Sequence, residues 1–191
     1  MKKKGLYIFL GLLVLIVIFM FNKMTSKEVS AETQWADVES AYQRRADLIP
    51  NLVATVKGYA AHEKETLEGV IKARAEATKP EIKVDELTPE KIAQFEQAQQ
   101  GLSGALSRLL LTVERYPDLK ANQNFLELQS QLEGTENRIN VERNRFNDLT
   151  REYNTYVRKF PMNLLAGIFG FDQMPAFKSS PGSEKAPKVE F

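Results

Sequence analysis

The sequence predicts an all-α membrane protein in which one transmembrane helix precedes an antiparallel up-and-down helical bundle. Two observations lead to this prediction. Residues 5–21 carry no charge, whereas the rest of the chain is charged and amphipathic. In that longer part, apolar residues recur every seven positions, and no stretch shows the alternating β-branched pattern of a strand.

The uncharged run from Gly5 to Phe21 directly follows lysines at positions 2–4. A helix of this length reaches about 26 Å, which is enough to cross the hydrocarbon core of a bilayer. We therefore expect residues 1–4 to form a basic cytoplasmic tail and residues 5–21 to form a transmembrane helix in contact with membrane lipid.

A cleaved secretory signal is the alternative interpretation of the same segment. Its small residues before a cleavage site would be Val29, Ser30 and Ala31. That site lies well beyond the apolar run, and the run is long for a signal. We therefore favour an uncleaved anchor.

The charges that flank the run predict its orientation. Three lysines precede it, whereas Lys23 and Lys27 follow it and are accompanied by Glu28 and Glu32. The positive-inside rule counts lysine and arginine, so it favours a cytoplasmic amino terminus and a main domain outside the cell membrane. The inverted topology is the alternative.

Residues 22–160 are expected to form the bundle domain. Prolines leave residues 51–79, 90–116 and 118–160 free to be long helices, because proline disfavours helix interiors. Each stretch has an apolar row at seven-residue spacing, and packing the three rows together would bury all of them. Since the first apolar row continues through Pro50, we predict three long helices, the first kinked at Pro50, which gives four segments. The row in the last stretch consists of Phe125, Leu132, Ile139, Phe146, Tyr153 and Phe160.

Residues 161–191 differ in character from the bundle. Residues 162–171 are apolar, and we expect them to dock loosely on the end of the bundle or on lipid. From Lys178 onward the chain is rich in Ser, Pro, Gly, Lys and Glu, a composition that predicts a flexible tail.

Composition argues against several classes of function. The formal net charge is +1 with interspersed signs, which is not the basic face of a nucleic-acid binder. Cysteine is absent, and the single histidine, His62, has Thr66 rather than a second histidine four residues later. We therefore predict no catalytic residue, no cofactor and no metal site, and we interpret His62 as a polar residue on a helix edge.

Polar residues within or beside the apolar rows predict buried interactions. They are Arg45 in the first helix and Thr135 and Glu142 in the last. A charge inside a bundle must be paired, so one hypothesis is that Glu142 pairs with an arginine of the first helix and fixes the register. The alternative is that these side chains reach the rim and stay solvated.

Asp47, Pro50 and Asn51 form an unusual local cluster. Asp47 could cap the helix that restarts after the kink, and Asn51 could satisfy backbone groups that the proline frees. A partner-binding groove at the kink is the alternative reading.

At these residues the chain resembles the LemA family of bacterial membrane proteins. The resemblance lies in YQRRADLIPNLV at residues 42–53, VKGYAAHE at residues 56–63 and YPDLKA at residues 116–121, with shorter matches towards the carboxyl terminus. It implies a single-pass protein with an antiparallel four-helix bundle and without an established enzymatic activity, cofactor or ligand. The family motif includes Asp47, Asn51, His62 and Glu63, which makes these residues candidates for a shared partner-binding surface.

These observations favour a membrane-anchored scaffold or adaptor, not an enzyme, that binds unidentified envelope proteins. The first alternative is a hydrolase or metal-dependent enzyme that uses carboxylates and His62. The second is a self-assembling structural membrane protein, which would be a homo-oligomer.

Overall fold

The computed structural model describes residues 2–80, 82 and 86–178, and every regular element in that part of the chain is a helix. The all-α prediction is confirmed there. Most of the predicted flexible tail, residues 179–191, lies outside the described residues.

Helix α1 runs from Lys2 to Tyr59 and contains both the apolar run and the beginning of the helical domain. This helix is long and apolar enough to cross a membrane. No residue of its most apolar stretch is buried inside the protein. The helix continues through Pro50, so the kink at that residue stays a prediction. The chain instead leaves the helix at residues 60–63, where the sequence analysis placed no boundary.

Five further helices follow α1 in the part of the chain that the structure describes. Pro89 begins α3 because Thr88 caps it: the backbone N–H of Lys91 donates to Thr88 Oγ1 at 3.2 Å. Asn122 caps α5 in the same way, accepting from the N–H of Phe125 at 3.0 Å. The helices are α2 at Lys64–Ala77, α3 at Pro89–Val113, α4 at Pro117–Lys120, α5 at Gln123–Arg158 and α6 at Met162–Phe169.

Helices α1 and α5 pack side by side and run in opposite directions. Along α1 from its start towards Tyr59, the contacted residues of α5 fall steadily in number. The pairs are Lys27 with Glu152, Arg45 with Glu136 and Tyr59 with Asn122. For each step of one residue along α1 towards Tyr59, the contacted position in α5 therefore moves by about one residue towards the amino terminus of α5.

Helices α2 and α3 complete the helical domain, which we define as residues 22–80, 82 and 86–178. The guanidinium of Arg74 in α2 donates to the carbonyl of Ala46 in α1 at 2.8 Å. The amide of Gln99 in α3 donates to the carbonyl of Ala77 at the end of α2 at 2.9 Å. These contacts hold α2 between α1 and α3.

Three groups of buried side chains form the core. The upper cluster, farthest from the apolar run, is built mainly from aliphatic residues of α1, α2 and α3 around Leu52, Leu102 and Leu109. The lower cluster, nearest the apolar run, contains Met24, Tyr153, Val157 and Ala166. Between them lies the aromatic cluster, which contains Trp35, Tyr42, Phe95, Phe146 and Phe177.

Two asparagines of α5 hold the segment after α6 against the helical domain. Asn154 accepts from the backbone N–H of Met174 at 2.9 Å and donates to its carbonyl at 2.8 Å. Asn147 makes the same pair of bonds to Phe177, at 2.9 and 3.1 Å. Because each amide satisfies both backbone groups of one residue, this segment is attached without regular secondary structure. The ring of Phe177 consequently lies in the core.

We expect replacement of both asparagines by alanine to release residues 171–178. Four hydrogen bonds are lost, each worth about 1 kcal/mol, so exchange of the backbone amides in this segment should rise by about tenfold or more. Hydrogen exchange followed by mass spectrometry measures this. Asn144→Ala is the matched control, since Asn144 is exposed on the same helix. Equal exchange in the double variant and the control would contradict the role of the two side chains.

Candidate functional site

Asp47 and Asn51 lie on exposed positions of α1, one turn apart. Asp47 Oδ1 accepts from Nε2 of Gln43 at 2.7 Å, and the carbonyl of Asn51 accepts from Thr55 Oγ1 at 2.9 Å. Since α1 does not restart here, Asp47 caps no helix, and the capping role expected for it is wrong. Both side chains are accessible to a partner.

His62 and Glu63 lie in the turn between α1 and α2. His62 is exposed, whereas Glu63 is partly buried. Glu63 Oε1 accepts from Nη2 of Arg115 at 3.0 Å and from the hydroxyl of Tyr116 at 2.9 Å. That hydrogen bond raises the pKa of Tyr116. The Glu63 carboxylate thus joins the turn to the end of α3.

The four residues form two separate pairs. Asn51 and the end of α1 at Tyr59 are separated by about 12 Å along the helix axis, and His62 follows beyond that end. Asp47 and Asn51 are therefore more than two helical turns below His62 and Glu63. The structure therefore brings the four residues together as two pairs and not as one compact site.

A buried polar network lies inside the domain, and Arg45 is the one member of it that the sequence predicted to be buried. The side chain of Arg45 is 3% exposed. Its guanidinium donates to Glu136 Oε2 at 2.7 Å, to Gln99 Oε1 at 2.8 Å and to Ser103 Oγ at 3.0 Å. Because Gln99 also donates to the end of α2, the Arg45 network connects α1, α2, α3 and α5.

Gln99 was missed, although the sequence carries a signal for it. Gln99 lies in the same seven-residue row as Ile92, Leu106 and Val113, and it is buried like them. A lone amide in an apolar row is the pattern that indicates a buried hydrogen-bonded partner.

The hypothesis for Glu142 is correct about burial and wrong about the partner. Glu142 is 3% exposed. It accepts from Nε2 of Gln34 in α1 at 2.6 Å and pairs with Arg138 one turn earlier on α5. An amide of the first helix, rather than an arginine, supplies the contact, because Arg45 faces Glu136 instead.

A cleft of about 400 Å³ lies between α1 and α3, next to the Arg45 network. Glu39, Tyr42 and Gln99 line it, and burial raises the pKa of Glu39. Among the described residues, no group of three Asp, Glu or His side chains is placed to hold a metal ion. We assign no reaction to this cleft.

The model of the LemA family matches residues 34–191 of the sequence. The chain belongs to the LemA family. The match includes Asp47, Asn51, His62 and Glu63, and it confirms the resemblance noted from the sequence motifs. It does not include the apolar run, which lies before its first residue.

This LemA-family chain is also similar to individual relatives. It is 27% identical over 181 residues to magnetosome protein MamQ of Magnetospirillum gryphiswaldense, covering 86% of the chain and 66% of that protein. It is 32% identical over 87 residues to magnetosome protein MamQ 2 of Paramagnetospirillum magneticum, covering 46% and 32%. It is 24% identical over 143 residues to protein LemA of Metamycoplasma hominis, covering 75% and 62%.

The chain therefore spans two thirds or less of the length of these relatives. None of their names denotes an enzyme. Together with the apolar part of α1, the family and its relatives support a membrane-associated protein.

Proposed function

We propose that this LemA-family protein is a scaffold or adaptor for other envelope proteins, held at the cell membrane by residues 5–21 as a single span. The observation that carries the proposal is the unbroken helix from Lys2 to Tyr59. Because no loop separates the span from the domain, the domain is presented to partners at a fixed distance from the membrane. A rigid, anchored surface suits an adaptor better than an enzyme that must close around a substrate.

The packing of α1 supports an uncleaved anchor over a secretory signal. Cleavage after Ala31 would remove both Met24, which is fully buried in the lower cluster, and Ala31, which is also fully buried. It would also remove Glu28, whose Oε1 accepts from the hydroxyl of Tyr153 at 3.2 Å. The segment that a signal peptidase would remove therefore contributes buried side chains and a hydrogen bond to the helical domain.

We propose that the amino terminus is cytoplasmic and the helical domain extracytoplasmic. The three lysines before the apolar run support this orientation, since lysine on the flanking segment is retained on the cytoplasmic side. We further propose that the span adjoins an antiparallel up-and-down bundle kinked at Pro50.

Proximity labelling with the intact membrane protein tests the adaptor role. A labelling enzyme fused to the carboxyl terminus should enrich a defined set of envelope proteins relative to the same enzyme on an unrelated single-pass protein. The enrichment should fall in a variant with Asp47→Ala, Asn51→Ala and His62→Ala, all at exposed positions. A Glu68→Ala variant is the control, because Glu68 is an exposed residue of α2 outside the shared motif.

Other outcomes would contradict the adaptor role. Labelling of random neighbours only, unchanged in the triple variant, would contradict both the adaptor role and the proposed partner-binding residues. Enrichment of copies of this chain alone would favour the self-assembling alternative.

A further inference from the structure

We propose that α6 and the preceding Phe160 lie in the interfacial layer of the membrane, so that the helical domain contacts lipid at a second place. The proposal rests on the anchoring of residues 5–21. It assigns a lipid-binding surface to residues that the scaffold proposal does not use.

The position of α6 relative to the apolar run is the first reason. Helix α5 descends residue by residue along α1, which places its end at Arg158 level with Asn22, the first residue after the run. The ring of Phe169 lies 5.1 Å from the ring of Phe21, the last residue of the run. The ring of Phe171 lies 5.4 Å from it. Helix α6 is therefore at the level where the span leaves the hydrocarbon.

The two faces of α6 are the second reason. One face is fixed to the helical domain, with Ala166 buried and Met162 and Leu165 packed against the lower cluster. The opposite face is apolar and uncovered: Leu164 is 58% exposed and Ile168 is 73% exposed. The two residues are one turn apart and share a face.

Phe160 is a third exposed apolar residue and lies in the turn between α5 and α6. Its side chain is 80% exposed, the most of any large apolar residue among those described. Exposed aromatic and aliphatic side chains grouped at one end of a domain are costly in water and are typical of surfaces that lie in a membrane interface.

The neighbouring charges are the third reason. Lys23, Arg158 and Lys159 lie at this end of the domain, together with the exposed acidic residues Asp172 and Glu152, of which Glu152 pairs with Lys27. The ammonium of Lys23 lies 5.6 Å from the centre of the Tyr156 ring. Basic side chains and tyrosine beside an apolar row match the headgroup layer, where cations meet lipid phosphates.

Continuity with the span selects lipid over a protein partner. Nearly all large side chains of residues 6–19 are exposed, as they must be to face hydrocarbon, and α6 adjoins the domain end of this run through the contact of Phe169 with Phe21. A bilayer that surrounds the apolar run would also reach the exposed residues of α6, so no protein partner is needed to cover them.

Site-directed spin labelling of the full chain in vesicles of phosphatidylethanolamine and phosphatidylglycerol tests the proposal. The sequence has no cysteine, so single-cysteine variants carry one nitroxide each. Labels at Ile168→Cys and Leu164→Cys report on α6. Val141→Cys, on the exposed surface of α5, is the control outside the membrane, and Leu13→Cys is the control inside it.

The measured quantity is the ratio of nitroxide accessibility to oxygen over accessibility to a water-soluble nickel chelate. We expect this ratio to be severalfold higher at positions 164 and 168 than at position 141, and closer to that at position 13. High nickel accessibility at 164 and 168 would place α6 in water and overturn the proposal. Low accessibility to both reagents would mean that protein covers the row, and it would overturn the proposal equally.

The control at position 13 separates failure of this proposal from failure of the anchor. A label at 13 in lipid with labels at 164 and 168 in water overturns the interfacial helix alone. A label at 13 in water overturns the anchor and the interfacial helix together.

Discussion

Arg45→Met should lower the free energy of unfolding by about 2–4 kcal/mol, because it leaves buried polar partners without their donor. Methionine keeps much of the apolar stem but none of the hydrogen bonds. Gln99 Oε1, which accepts from Arg45 at 2.8 Å, would remain buried and unsatisfied. Glu136 is half exposed, so its carboxylate can be solvated when Arg45 is removed. The loss of unfolding free energy should therefore be at the lower end of the range for a broken buried ion pair. Urea unfolding of the full chain in detergent, followed by the emission of the single tryptophan, measures the change.

Arg44→Met is the matched control for this substitution. Arg44 is the neighbouring residue and is exposed, so its replacement should change stability by less than about 0.5 kcal/mol. Similar losses in the two variants would mean that the network contributes nothing specific.

A double-mutant cycle tests whether the network acts as a unit. Arg45→Met combined with Gln99→Leu should cost less than the sum of the two single changes, with a coupling of about 0.5–3 kcal/mol. Additive losses would contradict direct coupling between the two side chains.

Trp35→Ala should lower the free energy of unfolding by about 3–5 kcal/mol, because it opens a cavity in the aromatic cluster. The tryptophan is fully buried. The centres of the Phe95, Phe146 and Phe177 rings lie 5.5, 5.4 and 5.5 Å from it, so one change removes contacts to α3, α5 and the segment after α6. Trp35→Phe should cost less, since it retains an aromatic ring.

Circular dichroism at increasing urea concentration measures this variant, since it lacks the fluorescent residue. Leu111→Ala is the control, because Leu111 is 72% exposed on α3. A loss for Trp35→Ala no larger than that for Leu111→Ala would show that the cluster does not hold the helices together.

Seven-residue periodicity predicted the all-helical class and several buried positions correctly. Phe125, Ile139, Phe146 and Tyr153 were taken from one apolar row, and all four are buried. The row also selected Phe160, which is exposed, because the helix ends at Arg158 and the chain then turns away from the core. Periodicity cannot register that change of direction.

The boundaries near residue 60 were harder to predict than the helices. The positions of the prolines predict where the helices end, yet α1 contains Pro50 and ends at Tyr59, where the sequence has no proline. The end is fixed by tertiary contacts, among them that of Glu63 with Tyr116 at the end of α3. Such contacts join residues that are distant in sequence, so local pattern carries no signal for them.

The candidate site was predicted only in part for the same reason. Arg45 and Glu142 were recognised from their places in apolar rows, but their partners were not. The Asn147 and Asn154 contacts to the segment after α6 were missed, because asparagine is common on helix surfaces and the sequence does not show which segment lies beside it.

The mass of a labelled chain shows whether one uncleaved helix holds the helical domain outside the membrane. Intact spheroplasts that express Val141→Cys are treated with a membrane-impermeant maleimide, and the protein in the membranes and in the medium is then weighed. We expect the full 191-residue chain in the membranes, carrying one label. A labelled chain shortened by about thirty residues would establish a cleaved signal, and a full-length chain without label would place the domain in the cytoplasm; either result would refute the proposed anchoring or orientation.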